Sequence, residues 1–261
     1  MLDVNGGVRV GDDTSACTNA NAGTIRFKDG IFEGCNGTEW VSLSVAGSGS
    51  GPGPGPGTFA CGTDQVQDAD GNLYNTVLIG TQCWMAENLN VGTMVTVTTE
   101  MTNNTVIEKY CYNNDQNICA TDGGLYQWDE MMQYSTTQGV QGICPTGWHV
   151  PTDSEWTTLE MALGMTQVQA DLSSWRGTDQ ATQLELGGTS GFQALLAGFR
   201  QPGVAARPDA WFRFRGAGAM FWTSEEDELQ AWFRRLLSSH EGVLRGKILK
   251  AYGYSVRCVK D

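Results

Sequence analysis

The stretch AWFRRLLSSHEGVLRGKILKAYGYSVRC, residues 231–258, decides the fold of the C-terminal end. Taken alone, its middle part resembles a basic amphipathic helix, which is typical of proteins that bind membranes, nucleic acids or calmodulin. Across the last 50 residues, however, short apolar pairs alternate with Gly and charge, which favours strands. We therefore predict short strands within FWTSEE, AWFRRLL and YSVRCVKD. The residues between the last two of these segments are predicted to form a loop.

Composition restricts the class of protein. The 261 residues carry 29 acidic and 16 basic side chains, and eleven of the basic ones follow residue 199. A basic end on an acidic body is a candidate contact surface. Eight Cys without any CxxC pair, together with only two His, argue against structural zinc and favour disulfides in an oxidising compartment. We expect an extracellular or cell-surface protein.

Two pairs of Cys follow from position. Cys17 and Cys35 are the only Cys before the linker, and Cys111 and Cys119 bracket a short polar loop. We expect each pair to form a disulfide. Spacing alone does not fix how the remaining four are connected.

The clearest boundary is AGSGSGPGPGPGT, residues 46–58, in which Gly and Pro alternate with period two. Such a segment buries no core and is predicted to be a spacer. Residues 1–45 are predicted to be a small β-rich module, and residues 59–261 a larger domain. Ile25, Phe27, Ile31 and Phe32 are the expected apolar face of the small module. A module of this size rarely holds a core alone, so it is expected to pack on the larger domain or to form a homo-oligomer.

No run of 18 apolar residues is present, so no membrane span is predicted. No signal peptide is visible at Met1. We expect the export signal or anchor to lie outside this chain.

Local signals predict two further elements. Thr152 followed by Glu155 is a capping box, and apolar residues at helical spacing extend the helix over about residues 153–163. The segment DADGN is the expected turn of a hairpin. Asp68 and Asp70 lie as in a calcium loop, but Ile79 occupies the twelfth position where such a loop has Glu, so the turn is favoured.

CPTGWHVPTDSEW, GFQALLAGFR, FWTSEE, AWFRR and SVRCVKD, with DADGNLYNTVLIGTQCWMAENLN and GGLYQWDEMM upstream, resemble the Fibrobacter succinogenes major paralogous domain over about residues 61–261. This bacterial family is a branch of the C-type lectin-like fold and is related to formylglycine-generating enzymes. The resemblance implies an α+β fold with short antiparallel strands, two helices and long loops. It also implies disulfides between Cys61 and Cys83 and between Cys144 and Cys258.

One subset is closer still: the variable proteins of diversity-generating retroelements, whose C-terminal ends are rewritten at adenines. Their pattern separates fixed residues, here called framework residues, from variable ones, here called interleaved residues. The framework residues are Ala231, Trp232, Arg234, Leu236, Gly242, Val243, Arg245, Lys250, Ala251, Gly253, Ser255, Val256, Arg257 and Cys258. The interleaved residues are Phe233, Arg235, Leu237, Ser238, Ser239, His240, Leu244, Gly246, Lys247, Ile248, Leu249 and Tyr252. Randomised AAC or AAT codons reach all of the interleaved residues except Lys247.

The resemblance implies a ligand-binding surface protein that is not an enzyme, with a variable region over about residues 200–252. The predicted ligand-binding residues are the twelve interleaved ones together with Phe212, Arg213, Phe214 and Met220. Trp211 and Phe212 are equally compatible with core and surface, whereas Trp222 and Trp232 are expected in the core. The expected partner is a protein on another cell or a phage, with no cofactor and no metal.

Three alternatives remain. A formylglycine-generating oxidoreductase needs two redox-active Cys late in the chain, whereas only Cys258 follows Cys144. A calcium-dependent lectin lacks its usual motifs here, and the acidic cluster at residues 224–228 is predicted to be a solvated loop rather than a cation site. That cluster also disfavours nucleic acid. His149 is predicted to be a packed scaffold residue, and no catalytic constellation is present.

Overall fold

The structure, a computed structural model, describes residues 15–28, 31–42, 59–203 and 211–261. The chain divides into two compact units, Met1–Gly57 and Thr58–Asp261. The Gly/Pro segment at residues 46–58 lies outside the described residues, so its role as a spacer stays a prediction.

The first unit contains a three-stranded antiparallel sheet. Its strands are β1 (Ile25–Lys28), β2 (Ile31–Cys35) and β3 (Trp40–Ser42), in that order. A disulfide joins Cys17 to Cys35 with a Cα–Cα distance of 5.4 Å.

The apolar face predicted for this unit is wrong at one position. Ile25 is 53% exposed, because its strand belongs to a thin sheet with no second described layer in this unit. The side chains of Phe27, Ile31 and Phe32 lie outside the described residues.

The second unit is an α+β domain dominated by strands. Its described strands are β4 (Val66–Gln67), β5 (Leu73–Tyr74), β6 (Thr76–Ile79), β7 (Gln82–Met85), β8 (Thr93–Val95), β9 (Glu108–Tyr110), β10 (Trp148–His149), β11 (Ser174–Arg176), β12 (Ala197–Arg200), β13 (Phe212–Arg215), β14 (Gly218–Asp227), β15 (Gln230–Leu237), β16 (His240–Leu249) and β17 (Val259–Lys260). Its described helices are α1 (Gln116–Asp122), α2 (Trp128–Met131), α3 (Asp153–Ala162), α4 (Gln167–Ala170) and α5 (Gln180–Leu184).

Five α-helical segments in the described residues replace the two that the resemblance implies. Only α3 reaches ten residues, and the others have four to seven. The capping box that predicts α3 is present: the Thr152 hydroxyl accepts from the Glu155 N–H, and the Glu155 carboxylate accepts from the Thr152 N–H. These bonds satisfy N–H groups that the first helical turn leaves without partners.

A six-stranded sheet in the order β11-β16-β15-β14-β12-β13 forms the largest layer. Its pairs are antiparallel except for β12 with β14. The loop predicted after AWFRRLL is wrong, because residues 240–249 form the ten-residue strand β16. Gly242 and Gly246 hide the period-two pattern of this strand from the sequence. The stretch YSVRCVKD forms only the short strand β17.

A four-stranded sheet, β10-β17-β7-β6, joins the last strand of the second unit to two strands near the start of that unit. Val259 pairs with Trp84 and with His149 on either side. The expected turn at residues 68–72 joins β4 to β5, and the buried Asp68 carboxylate accepts the backbone N–H groups of Asp70 and Asn72. Asp68 is thereby used by the turn itself.

Four disulfides are present: Cys17–Cys35, Cys61–Cys83, Cys111–Cys119 and Cys144–Cys258. They are consistent with an oxidising, extracellular environment. No described helix has the length and hydropathy needed to cross a bilayer.

Candidate functional site

One side of the six-stranded sheet is covered by helices except at the end that carries Lys247 and Leu249, and it is here called the closed face. Ala219, Phe221, Leu236 and Val243 point to this side and belong to one apolar cluster. Trp156 of α3 is fully buried among them. Because packed apolar side chains exclude water here, this side serves stability.

The closed face also contains a buried ionic network. Arg234 donates from Nε to Glu160 Oε1 at 2.8 Å and from Nη1 to Asp153 Oδ1 at 2.6 Å. Arg176 pairs with the other Glu160 oxygen, and Arg245 Nη2 lies 2.7 Å from Asp153 Oδ2. Burial opposes ionisation of Asp153, but the hydrogen bonds and charges of Arg245 and Arg234 lower its pKa overall.

The opposite side of the sheet is covered at one end only. There Trp222, Ala231 and Phe233 pack against Tyr254, whose pKa is raised by burial. The Trp222 indole also donates to the Tyr126 carbonyl at 2.8 Å. This end belongs to the core.

The uncovered remainder of that side is here called the open face. It comprises Phe199, Arg213, Phe214, Arg235, Leu237, Leu244, Ile248 and Tyr252, all exposed or half-buried. Cross-strand register places them together, since Arg235 is opposite Leu244 and Phe199 is opposite Arg213, and side chains of directly opposed residues share a side.

Aromatic rings line the open face. The Phe199 ring centroid lies 5.8 Å from that of Phe214 and 5.9 Å from that of Tyr252. The Arg235 Cζ lies 4.7 Å from the Phe214 ring centroid, within range of a cation–π contact. Aromatic and Arg side chains of this kind are enriched at the energetic centres of protein interfaces.

Backbone strain is present at the same place. Phe214 has φ +65° and is 41% exposed, although a bulky residue rarely adopts the left-handed region. Gly198, with φ +73°, lies beside it, and a Cβ there would lie 2.3 Å from the Arg213 carbonyl oxygen. Only Gly fits, so Gly198 allows the close approach of β13 that presents Phe214.

Burial separates the framework residues from the interleaved ones. Ten of the fourteen framework residues are buried, and the remaining four are half-buried. Of the twelve interleaved residues, only Phe233 is buried. The framework residues therefore form the interior of the β15–β16 hairpin and of the segment after it, and most interleaved residues contact solvent.

Two predicted ligand-binding residues are buried in the structure. Met220 is 1% exposed and Phe233 is 8% exposed. Both lie on the covered end of the sheet, where Trp222 and Tyr254 pack over them. Neither reaches a ligand without rearrangement.

Two further predicted residues lie on the other side of the sheet. Lys247 and Leu249 alternate with Ile248 along β16, so they point away from the open face. The Lys247 Nζ lies 4.7 Å from the Trp232 ring centroid and pairs with Asp227. Trp232, which the sequence predicts in the core, is half-buried, because its ring lies beneath the cationic side chains of Arg245 and Lys247 and belongs to none of the described apolar clusters.

The remaining predicted residues flank the open face. Ser238, Ser239 and His240 are exposed at the hairpin end, and the His240 ring stacks on Trp175 at 4.0 Å between centroids. Gly246 is half-buried on β16.

The edge strand β13 carries another of the predicted ligand-binding residues, Phe212. Phe212 is half-buried with its ring centroid 5.0 Å from that of Tyr112. Trp211 is buried, and the Arg200 guanidinium lies over its ring.

Residues 224–227 are not a loop, because β14 runs to Asp227. Glu226 pairs with Lys250 there. No group of three or more His, Cys, Asp or Glu that could hold a metal occurs within residues 15–28, 31–42, 59–203 and 211–261.

His149 links the start of α3 to the C-terminus. Its Nε2 lies 2.8 Å from Glu155 Oε1, and its Nδ1 lies 2.7 Å from Asp261 Oδ1. The hydrogen bond to Glu155 raises the His149 pKa, burial opposes it, and Asp261 adds to the rise. His149 is thus a structural cation when protonated.

Two residues of the site were missed by sequence reasoning. Phe199 lies inside the quoted segment GFQALLAGFR, but nothing local indicates that its ring joins those of Phe214 and Tyr252. Trp175 reaches His240 through the pairing of β11 with β16, which connects residues distant in sequence.

Comparison with known protein families finds one match. The model of the Fibrobacter succinogenes major domain matches residues 77–260. No curated protein and no solved structure matches.

Proposed function

The chain belongs to the Fibrobacter succinogenes major domain family, and we propose that it is a ligand-binding surface protein with a C-type lectin-like fold. Its C-terminal face is diversified by a retroelement, and its targets are proteins. The open face, flanked by the hairpin end at Ser238, Ser239 and His240, is the binding surface.

The single observation that carries this proposal is the burial contrast in the β15–β16 hairpin and the segment after it. A segment that tolerates rewriting needs its fold-determining residues inside and its changeable residues outside. Ten of fourteen framework residues are buried here, against one of twelve interleaved residues. Surface substitutions usually change the free energy of unfolding by less than about 0.5 kcal/mol, so the interleaved positions have freedom to vary.

The chemistry of the open face fits protein targets. Rigid aromatic side chains supply contact area at low entropic cost, and they are mounted on a braced sheet rather than on a mobile loop. The Cys144–Cys258 disulfide lies directly after this region and crosslinks residues 114 apart.

Two of the three alternatives, the oxidoreductase and the calcium-dependent lectin, have less support. A formylglycine-generating mechanism needs a free thiol, and all eight Cys are in disulfides. A calcium lectin needs a cluster of oxygen ligands, whereas Asp227 and Glu226 of β14 are engaged by Lys247 and Lys250.

A display library tests the proposal. Eight codons, those of Arg235, Leu237, Ser238, Ser239, His240, Leu244, Ile248 and Tyr252, are randomised and the library is selected against two unrelated proteins, lysozyme and serum albumin. The matched control randomises eight of the exposed positions between residues 166 and 186. Specific binders to both targets are expected from the first library only. Equal yields from the two libraries, or no binders from the first, would contradict the proposal.

A genomic observation tests the diversification separately. A reverse transcriptase gene and a near-repeat of the 3′ coding segment are expected close to this gene, with adenines at the interleaved codons. Absence of both refutes the retroelement while leaving ligand binding open to the library test.

A further inference from the structure

The cations of the six-stranded sheet fall into two groups. Most have acidic partners: Arg215 with Asp122, Arg234 with Glu160 and Asp153, Arg245 with Asp153, Lys247 with Asp227, and Lys250 with Glu226. Arg213 and Arg235 have no ion-pair partner among the described residues. Both lie on the open face.

Arg235 is held in an apolar setting with its donors unused. Its Nε is shielded from solvent and has no hydrogen-bond partner among the described residues. Its cross-strand neighbours are Met220 and Leu244, and its guanidinium lies over Phe214. A guanidinium is weakly hydrated and presents its donors in a planar fork, which matches a carboxylate in two-point contact.

Arg213 adds a second positive group on the same side. It is exposed and lies opposite Phe199, one residue before Phe214. None of the sixteen predicted ligand-binding residues is acidic, although the chain contains 29 Asp and Glu. The open face is therefore electropositive on an acidic protein.

From this charge pattern we infer that the partner presents carboxylates to the open face: an acidic segment of a protein, with one carboxylate received by Arg235 against Phe214. This inference rests on the proposed function, since it names the chemistry of the partner at the same surface. Complementary charge of this kind raises the association rate and selects among partners.

A nucleic acid fits less well. Affinity for a phosphate backbone comes from many cations acting together, and the open face offers two.

Binding of three fluorescein-labelled probes to the intact chain tests the inference: hexaglutamate, hexaglutamine and hexathymidylate, measured by fluorescence polarisation at low and at physiological salt. Hexaglutamate is expected to bind most tightly. Arg235→Gln should weaken it about tenfold and Arg213→Gln by a smaller factor, since a charge-assisted two-point contact is among the stronger polar interactions. The matched control, Lys260→Gln, removes the same charge from β17 and should change the affinity less than about twofold.

Three outcomes overturn the inference: hexaglutamate binding no tighter than hexaglutamine, Arg235→Gln and Lys260→Gln weakening binding equally, or hexathymidylate binding more tightly than hexaglutamate. If the probe-binding experiment fails but the display library yields target-specific binders, the acidic partner is refuted and the proposed function stands. If the probes bind as expected but the library yields no binders, the open face is an anion-binding site and the diversified binding surface is refuted.

Discussion

Arg234 and Arg235 are neighbours in one strand, and their surroundings differ completely. Arg234 is fully buried and its donors are used by Glu160 and Asp153. Arg235 points to the opposite side, stacks on Phe214 and has no acidic partner among the described residues. Successive side chains of a strand point to opposite sides of the sheet, so adjacent Arg residues have different roles. The side that an Arg occupies decides whether its charge stabilises the fold or is available to a ligand.

The largest expected effect comes from breaking the buried network. Arg234→Met removes the guanidinium that joins the buried carboxylates of Glu160 and Asp153, which should lower the free energy of unfolding by about 3–5 kcal/mol. Arg235→Met removes one cation–π contact at a half-buried site and should cost less than about 1 kcal/mol. Urea unfolding of both variants measures the difference. Similar losses in the free energy of unfolding for the two variants would contradict the difference between the closed and the open face.

Truncation of two neighbouring leucines compares the two sides of the sheet again, this time with uncharged side chains. Leu236 is fully buried among Phe221, Val243 and Trp156 on the closed face, so Leu236→Ala should cost about 2–5 kcal/mol. Leu237 is half-buried on the other side, and Leu237→Ala should cost less than about 1 kcal/mol. The measurement is the shift in the unfolding midpoint of each variant. A larger loss at Leu237 would place the core on the wrong side of the sheet.

The smallest effect concerns the half-buried ionic contact that His149 makes with Glu155 and Asp261. The His149 pKa is raised in the folded state by Glu155 and Asp261. Its contribution is therefore complete below the ordinary His pKa of about 6.5 and is lost as the pH rises through the folded-state value. Stability should decline over that window by on the order of 1 kcal/mol.

The matched control for this contact is His149→Gln, which cannot be protonated. Thermal or urea unfolding of this variant across the same pH range should show no such decline in stability. An unchanged pH profile in the variant would assign the decline to other groups.

Local signals predicted the local structures. The capping box at Thr152 and Glu155 fixed the start of α3, and the polar segment at residues 68–72 fixed a turn, because both depend on hydrogen bonds within a few residues. Strand β16 was missed because Gly242 and Gly246 lack side chains at the positions where a period-two pattern would show.

The site was predicted less completely because its boundaries depend on distant packing. Alternation separates Arg234 from Arg235, but it does not say which of them faces the core. Met220 and Phe233 are covered only because Tyr254 folds back over their end of the sheet. Phe199 joins the open face only because β12 and β14 pair across twenty residues.

The Cys144–Cys258 disulfide has a consequence for any chain that is truncated before Cys258. Strand β17 follows Cys258 immediately and pairs with β7 and β10. A chain that stops before Cys258 therefore lacks the strand that lies between β10 and β7 in the four-stranded sheet, and its Cys144 carries an unpaired thiol. Such a thiol is open to exchange with other disulfides, so truncated chains should form mixed disulfides in an oxidising compartment.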